Sequence, residues 1–225
     1  MLKIYNINHQ FLALLDANIN NIYTTDTLST GQRTLCFEVP CDETYINYID
    51  EENYVETEDY NYIIKEIKSN NNKYITVYCG ADIEQIKGKI FLYFDCYDKN
   101  LQQGYAYCLS GTDWIVNYHS NDRTRITYQE PNVCAYDMIR QIADDYGQEI
   151  WFDTKRKELN VYPKMGSNLG VYYSNELKLK QLKKNSNTYD YATVLYPFGK
   201  NGLTISNINN GKDYLENYSY TNKYL

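Results

Sequence analysis

Tyrosine fills 27 of the 225 positions in this chain, and that excess limits what it can fold into. Leu, Ile, Val and Phe number 18, 20, 8 and 6, about 23% of the residues and only just above the roughly 20% at which disorder becomes the ordinary outcome. A core built from this sequence has to include tyrosine. Its ring buries a large apolar area, while its hydroxyl asks for a polar partner or a wet boundary. Twenty-nine acidic against 22 basic side chains leave a net charge of −7, too little to keep the chain expanded.

Several classes fall away. No run approaches the roughly 20 apolar residues of a membrane helix, and residues 1–9 mix Lys3, Asn6 and Asn8 into the apolar positions where a signal peptide needs an unbroken core. The arginines are Arg33, Arg123, Arg125, Arg140 and Arg156, and they form no basic stripe, so tight nucleic-acid binding is not expected. Six cysteines are scattered mostly through apolar runs and read as reduced, buried thiols acting as small hydrophobes. Cys36 and Cys41 are the close pair, and His9 and His119 are too isolated to complete a zinc site around them.

The spacing predicts strands first. Lys3–Ile7 is an opening strand, and in Thr34–Val39 the residues Leu35, Phe37 and Val39 fall on one face before Pro40 ends the run. Tyr60–Ile67 and Lys73–Tyr78 form a hairpin across Ser69, Asn70, Asn71 and Asn72. Between these elements lies the acidic stretch Asp50–Asp59, read as a solvated edge strand or loop.

Near residue 100 the period changes. Leu101, Tyr105, Cys108 and Leu109 share one helix face, Gly111 closes the helix, and Trp114–Tyr118 is a strand. The same grammar repeats: Asn132 as cap, a helix face of Ala135, Ile139, Ile142, Ala143 and Tyr146, Gly147 as stop, then a strand at Glu149–Phe152. Leu159–Tyr162 pairs back onto it across Thr154–Lys157. After the Gly166–Gly170 break, strands are expected at Tyr191–Tyr196 and, past the Asn201-Gly202 turn, at Leu203–Ile205.

The inventory of chemical groups is thin. Neither histidine has a glycine-elbow serine or cysteine nearby, so no nucleophile and base can be paired. The carboxylates Asp50, Glu51, Glu52, Glu56, Glu58 and Asp59 are numerous enough for paired-acid hydrolysis, but they crowd into one exposed-looking segment where solvation keeps them ordinary acids. The glycines sit singly at turns and make no phosphate cradle. No catalytic, cofactor-binding or metal-binding residue is expected, and the chain reads as a binding or structural protein.

Leu109-Ser110-Gly111-Thr112-Asp113-Trp114-Ile115-Val116, a helix-ending leucine followed by a Gly-Thr-Asp-Trp turn and an apolar strand, resembles the N-terminal region of the phage tail-associated, or prophage endopeptidase tail, family. Asp26–Pro40 is similar to that family's opening strand pair, Asn132–Asp153 to its second helix and strand, and Thr193–Thr204 (TVLYPFGKNGLT) to its Pro-aromatic-Gly-Lys motif. Four such segments occur in order over nearly the whole chain.

The resemblance implies a β-rich α+β protein made of small β-barrel tube domains with an inserted α+β domain, similar to phage baseplate hub proteins. Residues 1–88 would form the first tube domain and 89–165 the insert. Residues 166–187 would connect them to an incomplete second tube domain at 188–225. It further implies a homotrimeric ring at the virion tail tip, assembled in the bacterial host cytoplasm. Its partners would be the distal tail protein and other tail-tip proteins, and DNA would pass through its lumen without tight binding. Under this expectation Asp50–Asp59 could line that lumen and repel phosphate. Nothing resembles the wall-cleaving domain many members carry, so catalysis is expected only beyond residue 225. Two other readings stay open: a mounting domain for such a hydrolase, and a carbohydrate-binding module using exposed aromatics. The latter is opposed by the expectation that Trp114 and Trp151 are core.

Overall fold

The computed structural model describes residues 1–15, 19–70, 73–167, 170, 192–199 and 202–219. They fall in two compact units, residues 1–167 and 168–225.

The first unit opens with seven strands: β1 (Leu2–Tyr5), β2 (Phe11–Leu15), β3 (Asn20–Thr27), β4 (Gln32–Pro40), β5 (Tyr54–Glu56), β6 (Asn61–Asn70) and β7 (Tyr74–Ala81). They make one sheet in the order β2-β1-β5-β6-β7-β4-β3. Its outermost strands, β2 and β3, are consecutive in the chain, with only residues 16–19 between them. Five Cα steps reach at most roughly 18 Å, whereas six strand spacings in a flat sheet would hold the edges roughly 29 Å apart. Covalent connectivity therefore forces the sheet to curl into a half-barrel. All six pairings are antiparallel, so β2 and β3 run in the same direction along the two opposite edges.

The inner face takes alternate residues. Leu2, Ile4, Leu15, Val55, Ile64 and Val77 are buried, and β4 contributes Leu35, Phe37 and Val39, as its alternation predicts. Tyr60, Tyr62 and, in the following layer, Tyr105 are among the largest fully buried side chains, so tyrosine does build core. The opening strand is shorter than Lys3–Ile7. Asn6 Oδ1 accepts from the backbone N–H of Asn8 and of Gln10, each at 2.9 Å, and this local turn ends β1 at Tyr5.

A mixed layer follows: α1 (Glu84–Lys87), β8 (Ile90–Asn100), α2 (Leu101–Cys108), β9 (Ile115–Tyr118), β10 (Arg125–Cys134), α3 (Ala135–Asp145), β11 (Glu149–Asp153) and β12 (Glu158–Tyr162). β8 and β10 form an antiparallel ribbon, and β11, β12 and β9 form a sheet in which β9 runs parallel to β12. Asn100 caps α2 reciprocally: its Oδ1 accepts from Gln103 N at 2.8 Å and Gln103 Oε1 accepts from Asn100 N at 3.1 Å. Leu101, Tyr105, Cys108 and Leu109 are all buried, the face their spacing predicts.

Asn132 does not cap α3. It lies inside β10 at φ 52°, carried on by the pairing of Pro131 with Tyr93 and Val133 with Phe91, and the cap is Cys134, whose Sγ accepts from Asp137 N at 3.4 Å. Long-range pairing with β8 overrides the local capping preference of Asn132.

In the second unit, β13 (Val194–Leu195) pairs with β14 (Leu215–Glu216). Tyr191 lies outside the described residues; of residues 192–196 only β13 is paired, and Leu203–Ile205 is not a strand. Leu203 O instead accepts from Gly199 N at 2.7 Å, and Gly202 holds φ 75°. Most of 166–187 lies outside the described residues.

Candidate functional site

Within the first unit the half-barrel and the mixed layer are locked by bonds between residues far apart in sequence. Asn61 N donates to Thr154 Oγ1 at 2.7 Å and Gln32 Nε2 to Tyr136 OH at 2.6 Å, while Tyr136 OH donates to Thr30 O at 3.3 Å. Gly31, at φ 64°, packs so close to β11 that a Cβ would stand 2.8 Å from Ile150 O. Sequence reasoning found none of these residues, because each is an ordinary turn or strand residue until folding brings in its partner.

The acidic stretch is not the single solvated strip expected. β5 lies inside the sheet between β1 and β6 rather than at an edge. Val55 points into the core, and Glu56 meets both Lys3 and Lys155 at 3.2 Å. Burial alone would raise the Glu56 carboxyl, but hydrogen bonds from Lys155, Lys3 and Tyr5 outweigh it and hold the group below its usual range. Glu52 pairs with Lys65 at 3.0 Å, and Asp50, Glu51, Glu58 and Asp59 are exposed.

A polar cleft lies where the two layers meet. A cavity of about 150 Å³ is walled by Tyr5, His9, Tyr54, Glu56, Asn61 and Asp82, and a second of about 260 Å³ shares His9, Tyr54, Asn61 and Asp82 with it. His9 lies against the Tyr54 ring at 4.2 Å between centroids. Burial pushes the Asp82 carboxyl up, partly countered by His9. The basic groups at the rim are spent on neighbours: Lys155 on Glu56, and Lys157 on Asp113 at 2.9 Å. No serine or cysteine lines either cavity among the described residues, and the threonine hydroxyl that does, Thr154 Oγ1, already accepts from Asn61 N at 2.7 Å.

The second histidine lies elsewhere. His119 stacks flat on Tyr162 at 4.2 Å, with Nε2 3.1 Å from Asn160 Oδ1. Of the cysteines, Cys36, Cys79, Cys96 and Cys108 are buried, and Cys41 and Cys134 are half-buried, less enclosed than expected. Burial pushes the Cys79 and Cys108 thiols far up. Among the described residues no group of three or more His, Cys, Asp or Glu is arranged to hold a metal ion, and no helix is long and apolar enough to cross a membrane. Trp114 is core, edge-on to Phe152 at 6.0 Å; Trp151 is half-buried against it.

Residues 2–81, the span of the curled sheet, match the family described as prophage endopeptidase tail N-terminal domain. The chain also shares a fold with solved tail proteins. Prophage tail protein gp18 from Listeria monocytogenes EGD-e aligns over 89% of this chain and 64% of its own, at 13% identity and TM-score 0.59. The tail protein from Neisseria meningitidis MC58 aligns over 86% and 61%, at 11% identity and TM-score 0.55. The 43 kDa tail protein of prophage MuSo2 from Shewanella oneidensis aligns over 76% and 57%, at 12% identity and TM-score 0.50. The chain thus spans less than two thirds of the length of these tail proteins. No curated protein matches it.

Proposed function

We propose that this chain is a structural hub at the distal tip of a phage or prophage tail. Three copies form a ring that adapts the hexameric tail and its distal tail protein to the tip. The observation that carries the reading is the coincidence of the family match over residues 2–81 with a sheet curled by the split β2/β3 strand. A wall segment of this kind needs neighbours to complete a tube. Head-to-tail contact between identical copies closes a ring when the rotation per contact divides a full turn.

In this hub, residues 1–88 are the first tube domain, 89–165 the outer α+β domain, 166–187 the connection and 188–225 the beginning of a second tube domain. The site of action is the virion tail tip, after assembly in the host cytoplasm. DNA passes through the lumen without sticking, helped by the net charge of −7. The acidic segment has a different part from the one expected of it. Tyr54 lines the cleft beside the mixed layer and Glu56 bonds Lys155 of that layer. With that layer on the outside of the ring, residues 54–56 join the two layers and do not face DNA. The hub itself carries out no catalysis, and a cleared band in a cell-wall zymogram of this chain would overturn that part. Of the two tryptophans a sugar could stack on, Trp114 is buried at 5% exposed and Trp151 is half-buried against the core, which disfavours sugar stacking at Trp114.

Mass photometry and electron microscopy of the chain, alone and with the distal tail protein, test the reading. Rings of three are expected. A chain that stays monomeric in the partner's presence counts against the hub.

A further inference from the structure

Asp82 lines both cavities of the cleft between the half-barrel and the mixed layer, and its carboxylate has no partner there. Among the described residues it makes no side-chain hydrogen bond and no ion pair; burial pushes its pKa up, and the pull of His9, Lys157 and Lys65 offsets only part of that. Both lysines are bonded to other acids: Lys157 to Asp113 at 2.9 Å, and Lys65 to Glu52 at 3.0 Å and to Glu84 at 3.2 Å. His9 is spent on Tyr54, with which its ring stacks at 4.2 Å between centroids. On the same wall Asn61 Oδ1 is a buried acceptor without a donor. The wall is short of donors, and a half-buried charge left unpaired costs stability that a well-placed cation would offset.

The surroundings of Asp82 select the kind of cation. Among the described residues no three His, Cys, Asp or Glu side chains converge to hold a metal ion. The walls are aromatic instead, with Tyr54 in both cavities and Trp114 in the larger, and aromatic faces attract organic cations. A guanidinium is planar and less strongly hydrated than an ammonium, and it meets a carboxylate with two parallel N–H donors. The larger cavity, about 260 Å³, has room for it, since one water takes about 30 Å³. We propose that this cleft binds a guanidinium group, which pairs with Asp82 and lies against the Tyr54 wall. The group is carried by an arginine of a neighbouring chain or by a free solute. The site stands with or without the ring.

Methylguanidinium is the probe, titrated into the whole chain at constant ionic strength and followed by heteronuclear NMR. The backbone amides of Tyr54, Asn61 and Asp82 should shift saturably, with a Kd of about 1–10 mM, and methylammonium should bind more weakly. Asp82→Asn should weaken binding about tenfold or more while the melting temperature holds or rises, because an unpaired charge has gone. Tyr54→Leu, at a half-buried position, is the second variant and should weaken binding about threefold or more. Shifts that stay linear to about 50 mM, or a Kd that neither variant changes, overturn the site and leave the hub untouched. Mass photometry then separates the two sources. Saturating methylguanidinium dissociates the copies or the distal tail protein if a neighbour's arginine fills the cleft, and leaves assemblies intact if a free solute does.

Discussion

Gly31 is the residue whose replacement the structure predicts most firmly. Its backbone is left-handed at φ 64°, and a Cβ would stand 2.8 Å from Ile150 O, a backbone atom that cannot swing aside. Gly31→Ala should cost about 1–3 kcal/mol, strain plus displaced packing, read as a lower urea midpoint. Glu56 is a milder case. Lys3 and Lys155 share its carboxylate at 3.2 Å, but it is partly exposed, so Glu56→Gln should cost no more than about 1 kcal/mol. Because the folded pKa lies below the unfolded one, this contribution is present at neutral pH and lost as pH falls through the folded pKa. The variant should therefore lose less stability on acidification than the parent. At this scale the sequence was legible at the glycine stops Gly111 and Gly147, which act within a few residues, while the equally local Asn6 turn and Asn100 cap went unread. It was silent where the partner is remote: nothing near Asn61 announces Thr154, and nothing near Gln32 announces Tyr136.

Among the elements, those with a clean period were readable and those without one were not. α2 presents Leu101, Tyr105 and Cys108 to the core, and its two-way cap makes Asn100→Ala an expected loss of about 1 kcal/mol, measurable by chemical denaturation. α3 was found by its apolar face but started two residues early at Asn132, because β10 runs on through a proline that usually stops a strand. β3, β8 and β10 went unforeseen for one reason. Strands in two-stranded ribbons and at sheet edges bury little, so their sequences lack apolar alternation, and pairing partners decide their conformation. The acidic segment shows the converse. Its charges suggested an edge, yet β5 pairs with β1 on one side and β6 on the other, with Val55 buried beneath.

For the whole molecule, the tyrosine core has a pH signature. Burial pushes Tyr62 up to about 12 and drives Tyr60 and Tyr105 higher still. Folding therefore favours the protonated phenols, and the stability they hold below the unfolded value near 10 is lost as pH rises toward the folded values. Denaturation monitored at pH 8, 10 and 11 should show stability steady to about pH 9.5 and then falling by up to about 1.4 kcal/mol per pH unit for each buried tyrosine. A profile flat to pH 12 would contradict the burial of these rings.

The sequence by itself determined that tyrosine would serve as core and that strands would dominate, with α2 and α3 set among them. These follow from composition and from periods that act along the chain. Tertiary structure alone decided that β2 and β3, neighbours in sequence, take opposite edges, that β5 lies inside the sheet, and that among the described residues β3 pairs only with β4. A strand's place in a sheet is set by which backbone it bonds to across space. Four residues of linker between two edges say nothing until the strand order makes them a constraint on curvature.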